Sequence, residues 1–366
     1  MSDELFETLS PEQRKLLEGF RFDATTFSTL QTALAEGDFD GDRNRLRVEV
    51  QPPPADSILP WPKGERAEAL AASGRAAIDA GEVASLVLNG GMATRFGGVV
   101  KGVVEVLPGR SFIGLKLGHI HRTAPNTPVF LMNSFATDTD TRTHLDGLSD
   151  LDGLAVHHVT QGIAVRLTPD GEVFRTAAGE PSFYAPGHGD VFSSLAASEA
   201  FRAFVEGGGK TVMVSNVDNL AATLDPIVIG AHLAHPSPVT TEVAPKNPGD
   251  KGGAPALVEG RVQVVEGFRF PADFDQDSIR VFNTNTLTFD VSVFNDEPPL
   301  NWFRADKKVE ERPVVQFERL MGEATRFLDS LYLEVLREGP QNRFMPVKTP
   351  ADLNDLRDAI AARLKN

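Results

Sequence analysis

An α/β fold with a mixed, mainly parallel sheet flanked by helices, plus a small helical extension at the N-terminus, is what this sequence predicts. Two observations carry the expectation. Short apolar runs rich in β-branched residues alternate with helical runs from Val83 onward, the pattern of a largely parallel sheet. A glycine-rich stretch, "VLNGGMATRFGG" from Val87 to Gly98, follows the first such run directly, where α/β folds place ligand loops.

The elements follow in chain order. "SPEQRKLLEGF" begins with Ser10 as an N-cap and Pro11 at the first helical position. "TTFSTLQTALAEGDF" carries Phe27, Leu30 and Leu34 at helical spacing and stops at Gly37. "QPPPADSILPWP" reads as an extended, proline-stiffened linker, so residues 1–55 form the extension and linker and 56–366 the main domain. Phe20, Phe22 and Phe27 of the extension are expected to pack against that domain. A helix over Arg66–Ala80 ends at Gly81. Strand–helix pairs are then read at "VASLVL" and its loop, at "PVFLMN" with "TDTDTRTHLDGL", and at "TVMVSNVDN" with "PIVIGAHLAH". "APALVEGRVQVVEGFRF" reads as a hairpin about Gly260, "IRVFNTNTLTFDVSVF" as a strand, and "VVQFERLMGEATRFLDSLYLEVLREG" as helical. A closing helix is capped from Thr349 to Asp352.

Composition removes several function classes. The net charge of −15 disfavours a nucleic-acid or anionic-membrane surface. Without cysteine there is no disulfide, thiolate metal site or cysteine nucleophile. "MSDELFETLS" lacks the apolar core of a secretory leader, and no apolar stretch reaches membrane-spanning length. A cytoplasmic protein is the expectation.

The glycine loop fits neither the dinucleotide fingerprint nor the P-loop, because Gly90 and Gly91 are adjacent, as are Gly97 and Gly98, and the nearest lysine is Lys101. Exposed amides beside Arg95 and Lys101 would suit a phosphate; a tight turn that happens to hold glycines explains it as well. "FYAPGHGDVF" presents His188 and Asp190 from a sharp turn, a setting that core packing explains poorly. "MVSNVDNL" ends an apolar strand in Asn216, Asp218 and Asn219. A carboxylate there can hold Mg²⁺, or the segment is an Asx-turn that ends a strand. Lys246, Asp250 and Lys251 precede Gly252 and Gly253. Asn283 and Asn285 fall on one side of a strand, where two amides could grip hydroxyls. Lys348 lies between Pro346 and Pro350; a lone lysine is otherwise a solvated surface residue. The pairs His119 with His121 and His157 with His158 lack further metal ligands and read as structural.

In order, "LNGGMATRFGG", Lys101, "MNS", Gln161, "APGHGD", "NVDN", "KGG", "FNTNT" and "RFMPVK" resemble the motif series of the UTP–glucose-1-phosphate uridylyltransferase family, the UDP-sugar pyrophosphorylases of eukaryotic type. The resemblance spans roughly residues 83 to 356. Each motif alone is weak and the ordered set is specific. Ala93 stands where the family has the loop's third glycine, Val100 where it has a proline before the lysine, and Thr286 where it has a last asparagine. Eukaryotic members continue into a C-terminal β-helix; none is expected here, since the sequence ends just past "PVKTPADLNDLRD".

The resemblance implies a nucleotide-diphospho-sugar transferase fold, Rossmann-like and of GT-A type. It also implies Mg²⁺-assisted attack of glucose 1-phosphate on the α-phosphate of UTP, giving UDP-glucose and pyrophosphate. The implied uridine pocket is Leu88, Gly90, Gly91, Met132, Gln161 and Gly187, with Gln161 reading the uracil edge and His188 touching phosphate. Asn216, Gly253, Glu266, Asn283 and Asn285 are the implied sugar site, and Asp218 the metal or ribose ligand. Two unit charges ~4 Å apart repel by ~4 kcal/mol at an effective dielectric near 20. An acidic protein that joins two polyanions therefore needs fixed local cations, and Lys101, Lys348 and Arg95 are the candidates. The partners expected are small phosphorylated molecules, with no nucleic acid and no membrane. Broad-specificity UDP-sugar or UDP-N-acetylhexosamine pyrophosphorylases, and a non-catalytic nucleotide-sugar binder, are the alternatives. The enzymes for acetylated sugars lack the His–Asp ending of P-G-H-G-D, so His188 and Asp190 favour the hexose enzyme.

Overall fold

In the computed structural model, which describes residues 2–39, 42–93, 96–247, 250 and 252–364, eight strands form the central sheet. In chain order they are β1 (Ile58–Leu59), β2 (Val83–Leu88), β3 (Val129–Asn133), β4 (Val156–Thr160), β5 (Thr211–Asn216), β6 (Val239–Pro245), β7 (Val281–Asp290) and β8 (Ser330–Glu334). Their spatial order is β1-β8-β6-β7-β5-β2-β3-β4. Only β7 runs against both its neighbours; the other adjacent pairs are parallel. The mixed, mainly parallel sheet is as expected.

Strand β2 shows why the sheet lies at the centre. All six of its residues are buried, and alternate side chains feed different cores. Val83 and Val87 pack with Ile78, Phe112, Leu117 and Ile120 on one face. Ala84, Leu86 and Leu88 pack with Phe130, Phe192 and Phe289 on the other. A strand covered on both faces reads as a continuous apolar run, as "VASLVL" does. Burying each such leucine or phenylalanine contributes about 1.5–3 kcal/mol.

Helices α1 (Ser2–Glu7), α2 (Pro11–Gly19) and α3 (Ala24–Ala35) form the extension, one more than the sequence suggested. Ser10 caps α2 through a capping box with Gln13. Phe27 is buried, and Phe20 and Phe22 pack beside it onto Ile163, Val165, Leu167, Val315 and Phe317, so the aromatic residues do pack on the rest of the molecule. The proline-rich segment is more than a spacer, since Val50–Gln51 pairs with Ala254–Val258 and Ile58–Leu59 is the edge strand β1. Helix α4 (Gly64–Asp79) ends at Gly81, whose φ is 73°. The hairpin Ala254–Val258/Arg261–Val265 turns through Glu259 and Gly260, both with positive φ.

One expected helix is absent. "VVQFERLMGEATRFLDSLYLEVLREG" instead supplies the strand Arg312–Glu318, a 3₁₀ segment Met321–Arg326 and β8. Arg312–Glu318 pairs antiparallel with Phe303–Val309, while β8 inserts beside β6 and buries Leu331, Tyr332 and Leu333. Its Val, Phe and Tyr content suits pleated pairing, and nonlocal contacts outweigh the helical spacing. No described helix is long and apolar enough to cross a membrane.

Candidate active site

Four neighbouring strands, β5, β2, β3 and β4, end at the same edge in parallel register. Leu88 lies opposite Asn216 on one side and Met132 on the other, and Asn133 lies opposite Thr160. Their carboxyl ends therefore deliver the N-V-D-N turn, the glycine loop, Met132 and Gln161 to one place. The chain steps outward from β2 to β3 and β4 and then returns to lay β5 on the other side of β2, and the ligand crevice of an open α/β sheet lies at such a reversal of strand order.

A cavity of about 360 Å³ at this edge is lined by Leu88, Gly90, Gly91, Lys101, Met132, Gln161, Gly187, His188, Asn216 and Asp218. A second, of about 260 Å³, is lined by His188, Asn216, Asp218, Gly253, Glu266, Asn283, Asn285 and Lys348. His188, Asn216 and Asp218 border both, so the two adjoin. Within the described part of the chain, every residue of the implied uridine and sugar sites, together with Asp218, His188, Lys101 and Lys348, reaches one cavity or the other, whereas Asp190, Lys246 and Asp250 line neither. Arg95 and Lys251 lie outside the described residues.

The glycine loop is held from beneath. Asn89, fully buried, donates its amide to Asn133 Oδ1 at 2.8 Å and to Thr141 Oγ1 at 2.9 Å, and Ser134 Oγ donates to the Gly90 carbonyl. A Cβ on Gly90 would overlap the amide oxygen of Gln161, whereas one on Gly91 would meet nothing within 4 Å. Gln161 Nε2 donates to the Gly187 carbonyl at 2.7 Å, which fixes its oxygen end toward Gly90. Lys101 opens a 3₁₀ turn, and its Nζ lies 2.6 Å from Asp218 Oδ2.

His188 is set by the chain behind it. The Met321 amide donates to Nδ1 at 3.0 Å, so the neutral ring carries its proton on Nε2. Burial pushes its pKa down to about 4, against opposing pulls from Glu318 and Asp190. At neutral pH His188 is an uncharged hydrogen-bond donor and not a cation.

The N-V-D-N turn is joined to the distant R-F-M-P-V-K segment by one main-chain bond and two bonds from the Asn219 side chain. Val347 N donates to the Asp218 carbonyl, Met345 N to Asn219 Oδ1 at 2.9 Å, and Asn219 Nδ2 to the Arg343 carbonyl. Asn219 thus cross-links two segments, and that cross-link carries Lys348 to the cavity shared with Asp218. Asp352 Oδ2 accepts from both the Lys348 and Thr349 amides, the expected helix cap. Behind the turn, Arg343 is fully buried and grips Glu242 with two 2.6 Å bonds. Burial works against its charge, and Glu242 and Asp225 more than offset it.

In the second cavity, Asn283 and Asn285 were expected on one side of a regular strand. They share the cavity through a bulge in the β6–β7 pairing. Asn285 has φ 58°; its amide donates to Asn283 Oδ1 and its side chain to Asn216 Oδ1 at 3.1 Å. Glu266 stands beside Gly253, and burial raises its pKa.

Two participants escape the sequence reading. Glu318 lines the first cavity, and no signal marked it while its segment read as helix. Lys116 is buried in helix α5 (Phe112–Thr123) and donates to the carbonyls of Asn216 at 2.8 Å and Asn219 at 3.1 Å. Burial lowers its pKa to about 7. A lysine inside the apolar run "FIGLKLGHI" was a visible signal. His119 and His121 lie on this helix and His157 and His158 on β4; among the described residues no group of three or more His, Asp or Glu gathers as a metal cage.

Known proteins are similar to this chain in sequence and in fold. The UTP–glucose-1-phosphate uridylyltransferase of Astragalus penduliflorus is 33% identical over 288 residues, which is 73% of this chain and 60% of that protein. That of Solanum tuberosum is 29% identical over 324 residues, 83% of this chain and 67% of its own. The chain thus spans about three fifths to two thirds of these relatives' length. Among solved structures, the UDP-N-acetylglucosamine pyrophosphorylase of Trypanosoma brucei superposes with a TM-score of 0.75 at 20% identity, covering 95% of this chain and 79% of that one. A Trypanosoma brucei structure described as UDP-glucose phosphorylase gives 0.72 at 26% identity, covering 91% and 74%. The family model for UTP–glucose-1-phosphate uridylyltransferase matches residues 41–360, the span that holds both cavities and every candidate residue, and the chain belongs to that family.

Proposed function

We propose that the protein forms UDP-glucose and pyrophosphate from UTP and glucose 1-phosphate. One observation carries the reading: two adjoining cavities share His188, Asn216 and Asp218, with Lys101 lining one and Lys348 the other. UTP occupies the cavity at the glycine loop, with Gln161 at the uracil edge and Leu88, Met132 and Gly187 about the uridine. The sugar lies against Gly253, Glu266, Asn283 and Asn285, whose carboxylate and amides suit hydroxyl groups.

A phosphate oxygen of the sugar phosphate attacks the α-phosphorus in line, a new P–O bond forms, and the bond to the β-phosphate breaks to release pyrophosphate. The attacking oxygen is already anionic, so no activated nucleophile is needed. Positioning and charge neutralisation make up the catalysis. Lys101 and Lys348 supply positive charge, Arg95 of the same loop is a third candidate, and His188 Nε2–H donates to a phosphate oxygen.

The residues fit Mg²⁺ as an ion that arrives with the nucleotide. Mg²⁺ takes one or two carboxylates and completes its shell with water and phosphate oxygens, and Asp218 is a carboxylate at the junction of the cavities. When bound, the ion would neutralise charge on the triphosphate.

The test is pyrophosphate release from UTP with a panel of sugar 1-phosphates, including N-acetylglucosamine 1-phosphate, with Mg²⁺ and with a chelator. Glucose 1-phosphate is expected to give the highest kcat/KM, and the chelator to abolish release. Binding of UDP-glucose without release for any sugar would make the protein a nucleotide-sugar binder and overturn the proposal.

A further inference from the structure

We infer that Arg319 is a positioning residue that braces the Pro186–Asp190 turn from behind and so holds His188 in the orientation that faces both cavities. The backbone of Arg319 runs against the turn. Its amide donates to the Pro186 carbonyl at 2.8 Å, and its carbonyl accepts from Gly189 N at 2.9 Å. The contact is close enough to dictate the turn's composition. A Cβ on Gly187 would overlap the Arg319 carbonyl oxygen, and one on Gly189 would come within 2.7 Å of Arg319 C and Cβ. The two glycines of P-G-H-G-D therefore answer to this neighbour as well as to the turn.

The side chain locks the contact. The guanidinium lies 2.7 Å from Asp190 Oδ1 and 2.7 Å from Glu297 Oε1, and it stacks over the Trp302 ring at 4.9 Å. Asp190, almost fully buried, passes the constraint on by accepting from Gly162 N at 2.8 Å, next to Gln161. Two residues after Arg319, Met321 N donates to His188 Nδ1. Placement of residue 319 thus sets both the position of the turn and the donor that selects the His188 tautomer. A planar fork held by two carboxylates and an aromatic face is a geometry that lysine reproduces only in part.

The kinetic consequence rests on the uridylyltransferase reading; the consequence for the His188 ring does not, and the experiment separates them. Histidine-labelled protein without nucleotide is compared as wild type, Arg319→Lys and Arg319→Met by ¹⁵N NMR, with His188→Gln used to assign the ring signals. The wild type is expected to show His188 protonated at Nε2 alone. Arg319→Met is expected to show averaging of the two tautomers, with Arg319→Lys in between. In the pyrophosphate-release assay, KM for UTP is expected to rise about tenfold in Arg319→Met and less in Arg319→Lys, with kcat falling less than KM rises. An unchanged His188 signature in Arg319→Met would overturn the inference, whatever the melting temperature does. Should Arg319→Met not fold, Glu297→Gln removes one of the two carboxylates, and an unchanged signature in both it and Arg319→Lys overturns the inference in the same way. A wild type without turnover but with the expected ring signals would leave the brace standing and remove the uridylyltransferase reading.

Discussion

Lys101 Nζ and Asp218 Oδ2 form an ion pair at 2.6 Å, with side chains only 17% and 18% exposed, at the point where the glycine loop meets the N-V-D-N turn. In the free protein each neutralises the other. A bound triphosphate competes for the lysine, and a cation that travels with it competes for the carboxylate, so the pair is expected to open when substrate binds.

That exchange gives the first prediction. Lys101→Met and Asp218→Asn should each lower kcat for pyrophosphate release by about 100-fold, the size of effect seen when one charge-stabilising group is removed. The double variant should lose much less than the product of the two, because each single change strands the other charge. Asp218→Asn alone should also raise the Mg²⁺ concentration needed for half-maximal rate. Multiplicative losses with an unaltered Mg²⁺ requirement would show that the pair does not act as a unit.

Lys348 tests the other end of the site. Its amide is pinned by Asp352 and its neighbours are zipped to the Asp218 turn, so its side chain can be removed without loosening the segment. Lys348→Ala should cut kcat by about 100-fold while the Kd for UDP-glucose, measured by calorimetry, changes less than about threefold. Equal losses in both would make the lysine a ground-state contact.

Adjacent glycines in the loop should respond in opposite ways. A methyl group on Gly90 collides with Gln161, and one on Gly91 enters open space. Gly90→Ala is expected to raise KM for UTP at least tenfold by displacing the Gln161 amide. Gly91→Ala should leave KM within about threefold. Both should melt within a few degrees of the wild type, because neither glycine has a positive φ. A large KM effect at Gly91 alone would place the nucleotide over that glycine's backbone and away from Gln161.

What the sequence reveals, and what it hides, divides along the range of the interactions. Gly90, Gly187, Asn216 and Lys348 stand in short segments whose composition reflects local chemistry, and their order along the chain is enough to gather them. The same holds for the capping boxes at Ser10 and Thr349 and for the alternation that placed β2, β3 and β5. Glu318 and Arg319 were hidden because their segment has helical spacing, while its conformation is fixed by pairing with Phe303–Val309. Lys116 and Asn219 matter through carbonyl and amide partners far away in sequence, and nothing at their own positions names those partners. The bulge at Asn285 is likewise a property of the pairing between β6 and β7 and not of "FNTNT".

The last prediction concerns acid. His188 and His119 have folded-state pKa values lowered from 6.5 to about 4, by burial in both cases and for His119 also by Arg122, Arg363 and Lys116. The unfolded chain takes up protons at these sites as pH falls through about 6.5, while the folded protein refuses them until about pH 4. The unfolded state then binds more protons, so stability must fall across that window and stay flat above it with respect to these groups. Each histidine is expected to contribute roughly 1–3 kcal/mol to the loss, the lower figure allowing for partial solvent access. Urea midpoints measured from pH 7.5 to pH 4.5 should therefore decline, and His119→Gln should flatten the decline without removing turnover, since His119 lines neither cavity. A decline of the same slope in His119→Gln and in His188→Gln would assign the acid sensitivity to groups other than these two rings.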